Sequence, residues 1–286
     1  MLRVAAEGGF AIAQNSYGLV LDFGNGVEQN YIEAARWYRR AAMNGVPRAM
    51  TNIGLMYEDG LGVDQDYVAA TAWFERAVEK NDAAGQVNLG RMLDRGMAGE
   101  VDYDRAVELY EMASEQGNLF GLNNLGLMYE LGRGVEQNFE KAASLYMQAA
   151  DQGLPLGKYN LALSYISGEG VKPDVARAIE LYKEAANQGH ILSQYNLGVI
   201  YVEGEIVERD YSEGFRWTKM AADQQNPNAQ NNMGYLLENG FGVQENLDSA
   251  IEWFELAANQ GNELAIEALQ RINSAPVADD KSGKAK

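Results

Sequence analysis

Residues 46–81 read VPRAMTNIGLMYEDGLGVDQDYVAATAWFERAVEKN. Within this stretch Ala49, Ile53, Met56 and Tyr57 are spaced by three or four residues, so they share one face of a helix that the spacing predicts over Pro47 to Asp59. Pro47 suits the first turn, where a missing N–H costs no intrahelical bond, and proline returns at the same phase as Pro155 and Pro227. Gly60-Leu61-Gly62-Val63 interrupts the helix, its first glycine fitting a left-handed cap. Asp66 then offers a short carboxylate to free backbone N–H groups and opens a second helix, with Ala70, Trp73, Phe74 and Ala77 on one face. The reading is an antiparallel pair, helix A and helix B, too small to bury its apolar face alone.

The pair is one of a series. Gly24, Gly60, Gly96, Gly132, Gly168, Gly204 and Gly240 follow one another at intervals of 36, as do Gly18, Gly54, Gly90, Gly126, Ala162, Gly198 and Gly234. The capping slot holds only asparagine or aspartate (Asn30, Asp66, Asp102, Asn138, Asp174, Asp210, Asn246), and Ala41, Ala77, Ala113, Ala149, Ala185, Ala221 and Ala257 form an unbroken column. A period of this length means stacked units, and the expected fold is an all-α superhelical solenoid of seven helix-turn-helix repeats. Their expected bounds are 10–45, 46–81, 82–117, 118–153, 154–189, 190–225 and 226–261. Residues 1–9 align with the close of an earlier helix B, so a truncated repeat is expected there. Residues 262–273 read as a capping helix A, and 274–286 as a disordered tail.

Composition narrows the chemistry. The 286 residues carry 41 acidic against 23 basic side chains, a formal charge of −18, which repels nucleic acid and anionic membranes. There is no cysteine and one histidine, so thiolate chemistry and the commonest metal sets are missing; no catalytic residue, metal or cofactor is expected. No apolar run reaches the ~18 residues of a membrane span, and the first residues do not form a signal peptide. A soluble chain is expected, and the residues leave the compartment open between a bacterial cytoplasm and, if a signal was removed, a periplasm.

The pattern small-x-x-Asn-Leu-Gly-x-x-Tyr, Gly-x-Gly-Val, Asp/Asn-Tyr and Ala-x-x-Trp-Tyr/Phe-x-x-Ala-Ala resembles the SEL-one-like repeat family, relatives of tetratricopeptide repeats. Ala49, Asn52-Ile53-Gly54, Tyr57, Gly60, Gly62-Val63, Asp66-Tyr67, Ala70, Trp73-Phe74 and Ala77 carry it in one unit, and residues 10–273 carry it overall. Departures are Ala98-Gly99, Ala162, and the group Gly214, Thr218 and Gln225, which puts the packing of the sixth unit in question. The resemblance implies a right-handed superhelix acting as a non-catalytic adaptor, with a protein segment held on a concave surface lined by the A helices.

Each chemical motif admits two readings. Gly24-Asn25-Gly26 and its counterparts could cradle a phosphate, but none precedes Gly-Lys-Ser/Thr, so they are expected to be turns. His190 reads as a surface loop residue, and turn carboxylates such as Glu58-Asp59, Glu203, Glu205, Glu208 and Asp210 as solvated charge. The mid-helix series Asn52, Asn88, Asn124, Asn160, Asn196 and Asn232 costs about 0.5 kcal/mol per residue against alanine. Either these amides bond neighbouring helices, or they face a bound extended segment, whose backbone an amide can satisfy whatever its side chains. At the slot where other units place Asp22, Glu58, Asp94, Glu130 and Glu238, the fifth and sixth carry Ile166 and Val202. The A face therefore reads as acidic at both ends and apolar in the middle. Phe120, Tyr159, Leu163, Ile166, Tyr195, Val199 and Val202 are the candidate docking patch, with basic residues expected on the partner. The exposure of Tyr159 and Tyr195 decides between docking and simple interhelical packing. A stoichiometric inhibitor of the immunity type is the alternative function, and self-association through the N-terminal edge is a further expectation.

Overall fold

The computed structural model describes residues 1–274, which form sixteen α-helices and no strand. The A helices are α2 (Ala11–Phe23), α4 (Pro47–Asp59), α6 (Ala83–Arg95), α8 (Leu119–Leu131), α10 (Pro155–Ser167), α12 (Ile191–Glu203) and α14 (Pro227–Asn239). The B helices are α3 (Tyr31–Met43), α5 (Tyr67–Glu79), α7 (Tyr103–Glu115), α9 (Phe139–Asp151), α11 (Val175–Asn187), α13 (Tyr211–Asp223) and α15 (Leu247–Ala258). The helix α1 (Leu2–Glu7) precedes them and α16 (Glu263–Ser274) follows, one residue further than the capping helix read from sequence. The rest of the expected tail lies outside the described residues. Contacts divide the chain into a first unit, Met1–Gly157 with Glu169–Lys172, and a second, Lys158–Gly168 with the residues from Pro173 onward.

Local chemistry sets every boundary. In all seven B helices the Asn or Asp at the N-cap accepts a hydrogen bond from a backbone N–H of the first turn, as Asn30 does from Glu33 and Asp174 from Arg177. Each A helix is followed by a left-handed glycine, with φ between 63° and 78° from Gly24 to Gly240. Two residues past each B helix, and three past α15, the backbone again has positive φ, and there Asn81 (57°) and even Gln225 (64°) adopt it where the other repeats use glycine.

Two close approaches pack the helices. Inside a pair, the helix A glycine receives the ring of the helix B aromatic. A Cβ on Gly54 would lie 2.5 Å from the Phe74 ring, one on Gly90 2.7 Å from Tyr110, and one on Gly126 2.6 Å from Tyr146. This glycine therefore makes room for a side chain of the partner helix. Between pairs, the alanine column of helix B abuts a small residue early in the next helix A. A Cβ on Gly85 would sit 2.5 Å from that of Ala77, and one on Gly121 2.8 Å from that of Ala113. All seven alanines of the column are fully buried.

The α12–α13 pair follows another solution. Thr218 replaces the aromatic and Gly214 replaces the usual alanine, and the backbones close up until a Cβ on Gly198 would lie 3.1 Å from the Thr218 nitrogen. Both substitutions are thus parts of one tighter contact, and the sixth repeat is not loosely packed.

The second glycine of the Gly-x-Gly turn has its own cause. At Gly62, Gly134, Gly170 and Gly242 a Cβ would fall 2.0–2.6 Å from the backbone of the first residue of the preceding helix B. These turns are inter-repeat contacts. Gly153 shares the positive φ of Gly170 but has open space around it. Gly170→Ala is therefore expected to cost more than Gly153→Ala by about 1–3 kcal/mol, the range for forced overpacking. Urea denaturation of the two variants checks this, and equal midpoints would show that φ alone matters.

Candidate functional site

The carboxylates of the late helix A slot turn toward partners inside the chain. Tyr38 donates its phenolic O–H to Asp22 Oδ2 at 2.9 Å, and Tyr146 donates to Glu130 Oε2 at 2.6 Å. Burial, then the bond to the carboxylate, pushes both phenols well above the ordinary tyrosine range. Where helix B carries phenylalanine in place of tyrosine, the carboxylate takes an arginine from the next helix A. Arg91 forks onto Glu58 at 2.5 and 2.6 Å, and Arg271 onto Glu238 at 2.6 and 2.7 Å. Asp94 accepts from Arg133 at 3.3 Å. In the two units with Ile166 and Val202, helix B has Tyr182, whose hydroxyl accepts from Asn196 Nδ2 at 3.3 Å, and Thr218. Burial raises the Tyr182 phenol to about 12.

This corrects two readings. Glu58 is not solvated turn charge, since its side chain is 6% exposed. Nor do the slot carboxylates form an open acidic rim, because each is engaged by a phenol or a guanidinium of the chain.

The asparagine slot behaves similarly. All six asparagines are half-buried. Asn52 donates to Asn15 at 3.0 Å, Asn88 to the Ala84 carbonyl at 2.9 Å, and Asn196 to Tyr182; Asn124 and Asn232 accept from the amides of Asn123 and Asn231. Asn160 also has a partner. These bonds offset the propensity cost. The pairs named use part of each amide's two donors and two acceptor lone pairs.

Among the described residues, each unit has a cleft on its A helices that includes candidate residues. The first has a volume of about 520 Å³ and is lined by Asn88, Phe120 and Asn124 together with Arg48, Arg91, Arg95 and Leu156. The second, about 460 Å³, is lined by Val199, Val202 and Asn232 with Tyr235, Leu236 and Phe241. Phe241 stacks on Tyr211 with ring centroids 4.6 Å apart, and Tyr235 meets its edge at 5.8 Å. Phe120 and Tyr235 are about half exposed despite their size.

Six of the thirteen candidate residues thus line clefts. Leu163 is exposed and Ile166 half-buried elsewhere. Tyr159 and Tyr195 are both half-buried: Tyr159 packs against Tyr182 (5.8 Å) and His190 (5.0 Å), and Tyr195 against the core of α13 to α16. They line seams between helices, outside both clefts. The arginines, Tyr235 and Phe241 were missed. A signal existed, since the slot holding Leu19, Leu55, Leu127, Leu163 and Val199 changes to Arg91 and Tyr235 at the two clefts. His190 is no free loop side chain either. It is the N-cap of α12, and its Nδ1 accepts from the Ser193 N–H at 3.3 Å.

A scaffold of this period, with its interior polar groups paired, defines an all-α helical-repeat protein. Models of the Sel1 repeat match residues 11–46, 47–82, 83–118, 120–154, 155–190, 191–226 and 227–262, and the chain belongs to the Sel1 repeat family. Proteins of this family are in general protein-interaction scaffolds. A Sel1 repeat protein from Oxalobacter formigenes is 35% identical with a TM-score of 0.74, over 95% of this chain and 78% of that one. The c5321 protective antigen of uropathogenic Escherichia coli strains, which displays an SLR fold, is 36% identical with a TM-score of 0.64; the match covers 95% of this chain but 58% of the antigen. The Pseudomonas aeruginosa immunity protein Pa5087 shares the fold at 18% identity and a TM-score of 0.54, over 74% of this chain and 81% of that one. Among curated protein sequences no relative matches significantly. Among the described residues no helix is long and apolar enough to cross a membrane, and no group of three His, Asp or Glu side chains could hold a metal ion.

Two expectations follow from these contacts. Arg91→Leu leaves the covered Glu58 carboxylate unpaired and should cost about 3 kcal/mol, whereas Glu58→Ile/Arg91→Leu, which installs residues found in the same slots of other repeats, should recover most of it. A double-mutant cycle in urea checks this; a double variant as unstable as the single would show that the pair is not the cause. For His190, burial lowers the ring's pKa, so the unfolded chain takes up the proton first. The stability tied to the neutral ring is complete above about 6.5 and is lost as the pH falls toward the lowered folded value. His190→Asn keeps a capping acceptor without the titration. The stability difference between the two proteins should be flat above pH 7.5 and move against the wild type below 6.5, measured by denaturation at stepped pH.

Proposed function

We propose that the chain is a non-catalytic adaptor that holds a protein segment in extended form against its A-helix face. The observation that carries this reading is the repeated make-up of the two clefts: each joins an apolar wall to asparagines of the periodic slot. Main-chain recognition by amides and side-chain recognition by Phe120 in one cleft, and by Val199, Val202 and Tyr235 in the other, would divide the work as in other extended-peptide complexes. Asn52, Asn160 and Asn196 continue the same slot, while Tyr159, Leu163, Ile166 and Tyr195 would contribute at its margins. The charge of −18 favours a segment of neutral or net positive charge.

A second reading is a stoichiometric inhibitor, which the immunity proteins sharing the fold bring into view and which a wide clefted face would also suit. Affinity capture from native extract tests both. Wild type is compared with Asn88→Ala/Asn124→Ala/Asn232→Ala/Tyr235→Ala, shown by circular dichroism to stay folded. The adaptor reading expects several clients, each reduced about tenfold or more by the variant; one client held at 1:1 and losing its own activity supports the inhibitor. Clients retained equally by both proteins would sink recognition at the A face.

A further inference from the structure

The cleft of the first unit is basic in an acidic protein. None of its lining residues is a carboxylate, although the chain has 41 acidic residues, and Arg48, Arg91 and Arg95 all reach it. We propose that this cleft reads one side-chain carboxylate, from an Asp or Glu, set beside an apolar side chain of the bound segment. The inference rests on the adaptor reading above and specifies the chemistry of its partner.

The three guanidiniums differ in how far they are neutralised. Arg91 is held in place from behind: Glu58, almost fully covered, takes both of its terminal nitrogens, and Asn88 Oδ1 accepts a further bond at 3.2 Å. Its charge is balanced, so it acts mainly as a fixed wall. The nearest approach of Arg48 to Asp82 is 3.7 Å, from Nε, and the Arg48 side chain is 59% exposed, while Asp82 Oδ1 already accepts from Thr51 and the Gly85 N–H. A pair this long, with an exposed guanidinium, is weak. Arg95, in the last turn of α6, is exposed and makes no ion pair among the described residues. Two planar forks are therefore available for a carboxylate, which guanidinium matches in a bidentate manner.

Residues 48, 84, 120 and 156 occupy one slot in four successive repeats, so the cleft runs across α4, α6, α8 and the start of α10. In repeat order the arginines come first and the half-exposed Phe120 with Leu156 follows, which sets the carboxylate and the apolar side chain in sequence along an extended segment. Beyond Arg48 the same slot continues to the exposed Ile12 of α2, so a segment has surface on both sides of the arginines, as an internal Asp or Glu requires. The net charge limits the partner to few negative charges. At physiological salt the field of two arginines is screened within about 8 Å, and a polyanion would meet the acidic remainder of the chain.

The test uses fluorescence anisotropy with the full chain and C-terminally amidated, fluorescein-labelled 12-residue peptide pools. The pools carry Glu, Gln or Lys at one central position, mixed Leu and Phe nearby, and neutral residues elsewhere. In 0.1 M NaCl the Glu pool is expected to bind about tenfold tighter than the Gln pool, the scale of one charge-assisted contact. That advantage should vanish in Arg48→Gln/Arg95→Gln, two exposed positions whose folding circular dichroism confirms, and shrink in 0.5 M NaCl. A Glu pool no better than the Gln pool, or an advantage that survives in the double variant, overturns the proposal. A Gln pool with a free C-terminus that outbinds the amidated Glu pool overturns the side-chain assignment in favour of a chain terminus. If the Gln pool binds and Asn88→Ala/Asn124→Ala weakens it while Glu adds nothing, this inference fails and the adaptor reading stands; if no pool binds, both fail.

Discussion

The seating of a helix B aromatic ring on a helix A glycine is the contact on which the rest of the structure depends. It sets the spacing within a pair, because a single Cβ at Gly54, Gly90, Gly126 or Gly234 would enter the ring of its partner. With that distance set, the alanine column of helix B can meet the small residues of the next helix A, and the turn can lie against the preceding pair. The α12–α13 pair shows the same constraint from the other side, for once Thr218 removes the ring the helices close until Gly214 is needed.

Bringing aromatic rings into such a core also brings in phenols, and a buried hydroxyl must have a partner. The carboxylate slot at the end of helix A answers that need. Asp22 and Glu130 serve Tyr38 and Tyr146 directly, and where phenylalanine stands instead the freed carboxylate recruits Arg91 or Arg271 from the following repeat. At four of the five slot carboxylates the partner thus follows the aromatic of the pair, Asp22 and Glu130 with tyrosine, Glu58 and Glu238 with phenylalanine. This pairing places the acidic groups toward the interior and lets guanidiniums line a surface cleft in a chain of strongly negative charge.

Function is built from what this interior leaves over. The A-helix layer keeps amides with unused hydrogen-bonding capacity, exposed aromatics at Phe120 and Tyr235, and two clefts of a size to hold side chains. Membership of the Sel1 repeat family agrees with a scaffold that presents such a layer to protein segments.

The repeat period, the helix-pair fold, the Asn or Asp caps and the left-handed glycines were legible in the residues, because each depends on groups within a turn or two of one another and recurs in register. Half of the candidate site was legible for the same reason: Asn88, Asn124, Asn232, Phe120, Val199 and Val202 stand out as a periodic slot or a departure from one. The direction of Glu58, the fork of Arg91 and the retreat of Tyr159 into a seam were not. The partners, Glu58 with Arg91 and Tyr159 with Tyr182 and His190, lie far apart in sequence, and a side chain on a helical face can turn toward either neighbour or toward solvent. Only the packed structure decides among these, since the choice falls to whichever buried phenol or guanidinium would otherwise lack a partner.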